Sequence, residues 1–414
     1  MTEPILSHTL ANGLVLVAEP MPWLQSAAFT LLVPVGCAHD PADRCGLSGF
    51  TCEMALRGAG SRDSRRLIQD LDNLGVERSD SVSEAHTRFS GATLAANLPQ
   101  ALAIYADVVR RPHLPLGQLE SARAVMIQEW RAIEDEPAEK VMVELRRRHF
   151  PDPWGRPTQG ELKALEAIAV EDVHQHFGRR YGPRGTILGV AGQFSWDRLK
   201  AQVEELFGDW AARDAAKIVE SPSPRAYAHF PFESNQTQIG IAYASVPYRH
   251  PDYFRAWGAV GVLSGGMSAR LFTEVRERRG LCYSVYAACQ TLRDLGAVFC
   301  YAGTSTERAQ ETLDVTLHEV VRLKQGVEPH ELDRVKARIK STLVMQQESS
   351  SGRSGSIARD WYHLGRARSL EEVFGLVDAL SAESINAYLA EHPPREFTVV
   401  TLGPRKLKVH DGIP

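Results

Sequence analysis

Along this chain, apolar runs and helical spacings follow one another in an order that occurs twice. Residues 9–18 and 27–36 are apolar runs that read as strands, the first entered through Asn12-Gly13. Helical spacing predicts helices over 49–56 and 64–74, and alternation predicts a strand over 86–95. Helices are expected near 98–109 and over 116–135, the second starting after Pro115 and rich in Ala, Glu and Arg. A Pro-Trp-Gly-Arg-Pro loop from Pro153 to Pro157 precedes a helix over 170–181 and a closing strand over 186–192. The second series reads as a strand over 238–244, a helix over 253–263 and strands over 281–288 and 296–303. It continues with helices over 306–322, 329–347 and 381–389 and closes on a strand over 397–402.

Two markers give the offset between the series. Leu119-Glu120 matches Leu332-Asp333 at 213 residues, and Glu171-Asp172-Val173 matches Glu383-Ser384-Ile385 at 212. A near-constant offset over most of a half points to duplication. The expected domains are therefore an N-terminal half over 1–210, a polar, proline-containing linker over 211–228 and a C-terminal half over 229–414. The predicted class is α+β: two duplicated α/β-sandwich halves, each a sheet covered by helices, forming a clamp-like half-shell.

Composition narrows the function classes. The 414 residues are 43% hydrophobic and 24% charged, with a net charge of −4, which gives no electrostatic case for nucleic acid or an anionic membrane as partner. No apolar run approaches the ~20 residues of a membrane span, and the N-terminus has neither the basic start nor the apolar core of a signal peptide. Cytoplasm is the expected compartment. Cys37, Cys45 and Cys52 fall in one stretch and Cys282, Cys289 and Cys300 in another, with no C-x-x-C pair. They read as reduced, mostly buried thiols.

The most specific stretch is 263–286, Leu-Ser-Gly-Gly-Met-Ser-Ala-Arg-Leu-Phe-Thr-Glu-Val-Arg-Glu-Arg-Arg-Gly-Leu-Cys-Tyr-Ser-Val-Tyr. With the order of segments around it, it resembles the pitrilysin/insulinase family of inverzincin metallopeptidases, and within it the short, dimeric branch that includes mitochondrial processing peptidase and the core proteins of the respiratory cytochrome complex. The resemblance covers nearly the whole chain. It implies that Arg276 and Tyr283 reach an active site, the phenol hydrogen-bonding a developing oxyanion and the guanidinium anchoring a nearby carbonyl. It also implies that Ser264, Gly265, Gly266 and Met267 correspond to the glycine-rich, substrate-gripping loop of a non-catalytic processing subunit.

The first half departs from the family where its chemistry should be. In an H-x-x-E-H helix, two histidines on one face hold zinc and the glutamate activates water. In the matching register of 46–58, Gly49 and Glu53 stand for the histidines and Cys52 for the glutamate. Glu129, 76 residues after Glu53, stands where the family keeps its third ligand. His318-Glu-Val-Val-Arg322 and His330-Glu-Leu-Asp-Arg334 begin like zinc helices but end in arginine, which cannot ligate zinc.

Three readings follow. In the first, the chain is the non-catalytic partner of a heterodimeric zinc peptidase, binding no cofactor itself and donating Arg276, Tyr283 and the glycine loop to a zinc-bearing homologue that acts on peptides. In the second it is a structural or peptide-binding protein like the respiratory core proteins. In the third it is a peptidase with an unusual metal site, against which the loss of all three helix residues weighs.

Overall fold

The structure is a computed structural model that describes residues 4–213 and 218–409. Residues 214–217 of the expected linker lie outside the described residues, as do 1–3 and 410–414 at the ends of the expected halves. The chain folds into two compact units. The first comprises 1–132, 152–221 and 345–369, and the second 133–151, 222–344 and 370–414. Both are mixed α+β, as the pattern predicts.

The first unit is built on a six-stranded sheet. Its strands are β1 (Leu6–Thr9), β2 (Val15–Pro20), β3 (Ser26–Val33), β6 (Glu77–Val82), β7 (Thr87–Leu94) and β8 (Ile187–Gly192), in the order β1-β2-β8-β3-β7-β6; Gly58–Ala59 and Arg62–Asp63 form a separate two-stranded ribbon, β4 and β5. β8 pairs parallel with β2 and antiparallel with β3. Strand β3 is buried along nearly its whole length, because Phe29, Leu31 and Val33 enter the main core while Thr30 and Leu32 meet a helix on the other face. The main core is closed by α1 (Leu47–Ala55), α2 (Ser64–Asn73), α3 (Leu98–Arg110), α4 (Leu119–Glu134), α6 (Leu162–Ala167), α7 (Val170–Arg180) and α8 (Trp196–Phe207).

The second unit carries a five-stranded sheet of β9 (Ala228–Pro231), β10 (Gln236–Ser245), β11 (Cys282–Thr291), β12 (Gly296–Ser305) and β13 (Thr398–Gly403), in the order β11-β12-β10-β13-β9. All its pairings are antiparallel except β13 with β9. Helices α9 (Tyr253–Ser264), α10 (Ala309–Arg322), α11 (Pro329–Gln347), α13 (Leu370–Asp378) and α14 (Ala382–Glu391) accompany it.

Each sheet takes one helix from the opposite half of the sequence, so the units differ from the contiguous division at 1–210 and 229–414. α5 (Pro137–His149) lies in the second unit and packs on β10 and β13. α12 (Ser350–Leu364) lies in the first and packs on β2, β3 and β8. Neither helix is apparent from the hydrophobic pattern. They begin at Pro137 and Ser350, an offset of 213 residues, against the 213 and 212 of the two sequence markers. A small residue at the sheet makes each approach possible. A Cβ on Gly189 would lie 2.4 Å from the Ser354 carbonyl oxygen, and one on Gly240 would lie 3.2 Å from Leu145. Ser354 Oγ bonds Thr30 Oγ1 at 3.0 Å, and the buried Arg353 donates from Nε to Glu19 at 2.7 Å, which seats α12.

Among the described residues, no helix is long and apolar enough to cross a membrane.

Candidate functional site

The helix that the spacing singles out is α1, and the first unit holds it firmly. Its N-terminus starts from Gly46 at φ 107°, a left-handed conformation that suits glycine. Asp40 supplies the cap: its carboxylate accepts from the Gly46 and Ser48 backbone amides at 2.8 and 2.9 Å and from Ser48 Oγ at 2.6 Å. Burial pushes the Asp40 carboxyl up to about 6 despite these bonds. Ser48 Oγ also meets His176 Nε2 at 3.2 Å, and burial, with Arg180 and His39 adding to it, holds His176 down at about 3. His176 thus serves as a neutral packing and hydrogen-bonding group.

The three positions of the expected zinc motif have been put to other uses. A Cβ at Gly49 would come within 2.9 Å of the Met126 Cε of α4, so the space a first imidazole would enter is filled by a thioether. Glu53 faces Arg57 one turn on, accepting from Nη2 at 2.6 Å and Nε at 3.0 Å, while Arg57 Nη1 reaches Gln118. Cys52 is buried, and desolvation, followed by the charges of Asp80, Glu53 and Glu129, holds its thiol well above the usual range. Glu129 is also raised, by desolvation first and then by Glu53 and Asp80. The structure therefore brings Cys52, Glu53 and Glu129 into one electrostatic neighbourhood and adds Asp80 from β6, which sequence reasoning missed.

This donor set does not fit zinc. Gly49 has no ligand atom, Glu53 is committed to an arginine, and the Cys52 thiol is disfavoured as a thiolate. Among the described residues, the group that brings one potential ligand atom from each of three side chains within 4.8 Å is Asp252, Glu391 and His392, none of them at the motif. Asp252 there already pairs with Arg255.

The second unit presents the other half of the expected chemistry. Phe272–Glu277 forms a π-helical turn rather than regular α-helix, a local rewinding that often marks functional positions. Strand β11 opens with a bulge: Cys282 pairs with Thr304 and Ser284 with Gly303, leaving Tyr283 as the extra residue. The bulge turns Tyr283 outward, and the side chain is 84% exposed. The Arg276 guanidinium lies 4.8 Å from the centroids of both the Tyr283 and Phe272 rings. Arg276 and Tyr283 are thus brought together, the phenol hydroxyl facing solvent.

The glycine loop follows α9. Ser264 Oγ accepts from the Ala287 amide of β11 at 2.8 Å, so that hydroxyl anchors the loop to the sheet. Gly265 caps the helix, its amide bonding the Gly261 carbonyl. Gly266 has φ 151°, and a Cβ there would sit 2.9 Å from Arg338 Nη1. Met267 is 76% exposed.

Comparison with known proteins gives the family. Residues 15–159 match the family model described as insulinase (peptidase family M16), and residues 167–339 match the one described as the peptidase M16 inactive domain. A Mycobacterium tuberculosis protein described as an uncharacterized zinc protease is 29% identical over 416 residues, covering 97% of this chain and 93% of its own. A Pseudomonas fluorescens crystal structure described as a peptidase M16 inactive domain superposes with a TM-score of 0.89 at 22% identity, covering 98% of this chain and 99% of that one. A chain of Complex III2 from Candida albicans superposes with a TM-score of 0.81 at 18% identity, covering 97% and 96%. The chain belongs to the insulinase family of metallopeptidases as a homologue with both its M16 and its M16 inactive domains.

Proposed function

We propose that this chain is the non-catalytic, substrate-binding and active-site-completing subunit of a heterodimeric zinc metallopeptidase that cleaves peptides or unfolded segments. The observation that carries the reading is the contrast between a motif helix unfit for zinc and an exposed Tyr283 held beside Arg276 on a bulge. A scaffold has no need of a solvent-facing phenol next to a cation, whereas a peptidase centre uses both: the hydroxyl donates to the oxyanion as it forms, and the guanidinium holds a substrate carbonyl. Zinc and the activating glutamate would come from a homologous partner with an intact H-x-x-E-H. Arg276 and Tyr283 are the residues donated to that partner's site, and the loop from Ser264 to Met267 grips the peptide. The compartment this reading favours is the cytoplasm.

The second reading is a structural or peptide-binding pseudoprotease, favoured by the fold likeness to a chain of Complex III2. Reconstitution separates the two. The purified chain alone should cleave no unstructured reporter peptide and, after dialysis, carry far less than one zinc per chain. Mixed with a zinc-bearing homologue, it should raise cleavage well above that of the homologue alone. A complex that forms without any gain in cleavage would favour the scaffold. A full equivalent of zinc that disappears on Glu129→Ala would instead revive a self-sufficient metal site.

A further inference from the structure

The glycine loop in the second unit borders a cavity of about 240 Å³, lined on its other side by Glu331, Arg334 and Arg338 of α11. Its charge is unbalanced. Arg270 saturates Glu331, donating from Nε to Oε1 at 2.8 Å and from Nη2 to Oε2 at 2.7 Å. Arg334 and Arg338, one helical turn apart, have no ion pair or side-chain hydrogen bond among the described residues. Both are exposed, and the Arg338 guanidinium lies close to Gly266, where an added Cβ would stand 2.9 Å from Nη1. A glycine with φ 151° thus lets the loop backbone lie close to a cation that has no ion pair among the described residues.

We infer that this cavity is a carboxylate subsite, in which Arg334 and Arg338 receive an acidic side chain or the C-terminal carboxylate of a peptide lying along the glycine loop. The inference rests on the peptide-binding reading above and names the class of peptide that reading leaves open. Two guanidiniums on one helix face present N–H donors to the two oxygens of a carboxylate, the pairing their planar geometry suits best. With Glu331 already neutralised by Arg270, an incoming carboxylate meets net positive charge and no competing acid in the lining. The cavity has room for a carboxylate side chain, and Met267 in the same loop is exposed.

The test uses the full chain and fluorescence anisotropy with three labelled ten-residue unstructured peptides: one with a single Glu and an amidated C-terminus, its Gln counterpart, and the Gln peptide with a free C-terminal carboxylate. At low salt, the Glu or the free-carboxylate peptide should bind roughly tenfold more tightly than the amidated Gln peptide, the scale of one partly exposed charge-assisted contact. Whichever of the two shows the preference identifies the carboxylate's source. Arg334→Gln with Arg338→Gln should abolish the preference, bringing the affinity ratio between the carboxylate peptide and the amidated Gln peptide to about one. Because both side chains are exposed, the variant is expected to fold, and its circular dichroism serves as the check. If peptides bind but all three do so equally, the carboxylate inference is overturned and the peptide-binding reading stands. If none binds, the peptide-binding reading itself fails. If inorganic phosphate displaces the peptides from wild type as effectively as the unlabelled Glu peptide does, the cavity is a simple anion site and the peptide assignment falls.

Discussion

The motif helix of the first unit and the Arg-Tyr corner of the second have gone opposite ways. Around α1, each position that would serve a metal has been absorbed by the fold: Met126 occupies the space at Gly49, Arg57 ties up Glu53, and Cys52 is 3% exposed in the core. At the corner, a bulge and a π-helical turn keep Tyr283 84% exposed with Arg276 stacked on its ring. Packing energy alone would fold an aromatic of that size inward, since burial of its apolar area is worth about 2 kcal/mol. On the proposed reading, Tyr283 is kept outward to act on a substrate held by the partner. The positions of the first region are tied into packing and ion pairs, and Tyr283 in the second is exposed.

The strongest way to break this contrast is Tyr283→Phe. The change removes one exposed hydroxyl, so the stability of the chain and its assembly with a zinc-bearing homologue should be unaltered. If the hydroxyl meets an oxyanion in the mixed complex, turnover of an unstructured peptide should fall by roughly 10²–10³. Arg276→Ala should lower turnover as well, through loss of a donor and of the cation that orients the ring. Unchanged activity in both variants, with the complex intact, would make the corner as inert as α1.

A second test runs the other way, by putting the expected glutamate back. Cys52→Glu places a long carboxyl in the core next to Asp80, Glu53 and Glu129, whose charges already disfavour a thiolate there. Desolvation and like charge should cost about 3 kcal/mol, read as a fall in the denaturant midpoint, with no gain in zinc binding. A Cys52→Glu variant as stable as wild type would mean that the first unit has room for a carboxylate at that position.

The units should also differ in acid. His149 on α5 is buried, with its Nδ1 3.0 Å from Thr398 Oγ1, and burial followed by the charge of Arg225 holds it at about 4. Its folded value lies below the ordinary 6.5, so the stability it confers is complete above pH 6.5 and is lost as pH falls from there through about 4. In the first unit His176 acts with the same sign, but Asp40, raised to about 6, acts with the opposite one and partly offsets it. Between pH 7 and pH 5 the His149 contribution should fall by about 2 kcal/mol. Hydrogen exchange of β10 and β13 against β3 and β8 at the two pH values would show it, and His149→Gln should flatten the response. Equal pH dependence of both sheets would sink the assignment.

The sequence carried this comparison only in part, for physical reasons that separate its two kinds of signal. Periodic segments appear close to where their spacing puts them: the helix expected over 64–74 is Ser64–Asn73, and that over 98–109 is Leu98–Arg110. The exchanged helices gave no such signal. α5 is dense in Arg and Glu with an apolar stripe only of Val141 and Leu145, and α12 buries Ser350, Arg353 and Ser354 beside Ile357 and Ala358. Both depend on the sheet they pack against, which local propensity does not register. The site divides the same way. Gly49, Cys52, Glu53 and Glu129 are placed by spacing within helices, but Met126, Arg57 and Asp80, which decide what those positions do, act through contacts of the folded chain. The bulge that exposes Tyr283 depends on pairing with β12 and has no mark in the sequence of β11 alone.

The smallest expected effect tests whether the closure around α1 is rigid. Gly49→Ala lies within a helix, where replacing glycine removes a conformational-entropy cost of roughly 0.5–1 kcal/mol. Against that gain, the new Cβ would stand 2.9 Å from Met126 Cε, with the Thr158 carbonyl oxygen at an ordinary 3.6 Å. The crowded atom is the far end of an unbranched thioether, which can rotate away at little cost. The two effects should leave Gly49→Ala between neutral and about 1 kcal/mol more stable than wild type, measured by the urea midpoint at constant slope. Gly49→His asks far more of the same space, because an imidazole cannot enter unless the whole Met126 side chain leaves; Met126→Ala should then rescue its stability. If Gly49→Ala instead costs more than about 1 kcal/mol, Met126 is locked in place by the rest of the core. The loss of the first histidine would then be built into the packing of α4 on α1, and no substitution at position 49 alone could reopen the site.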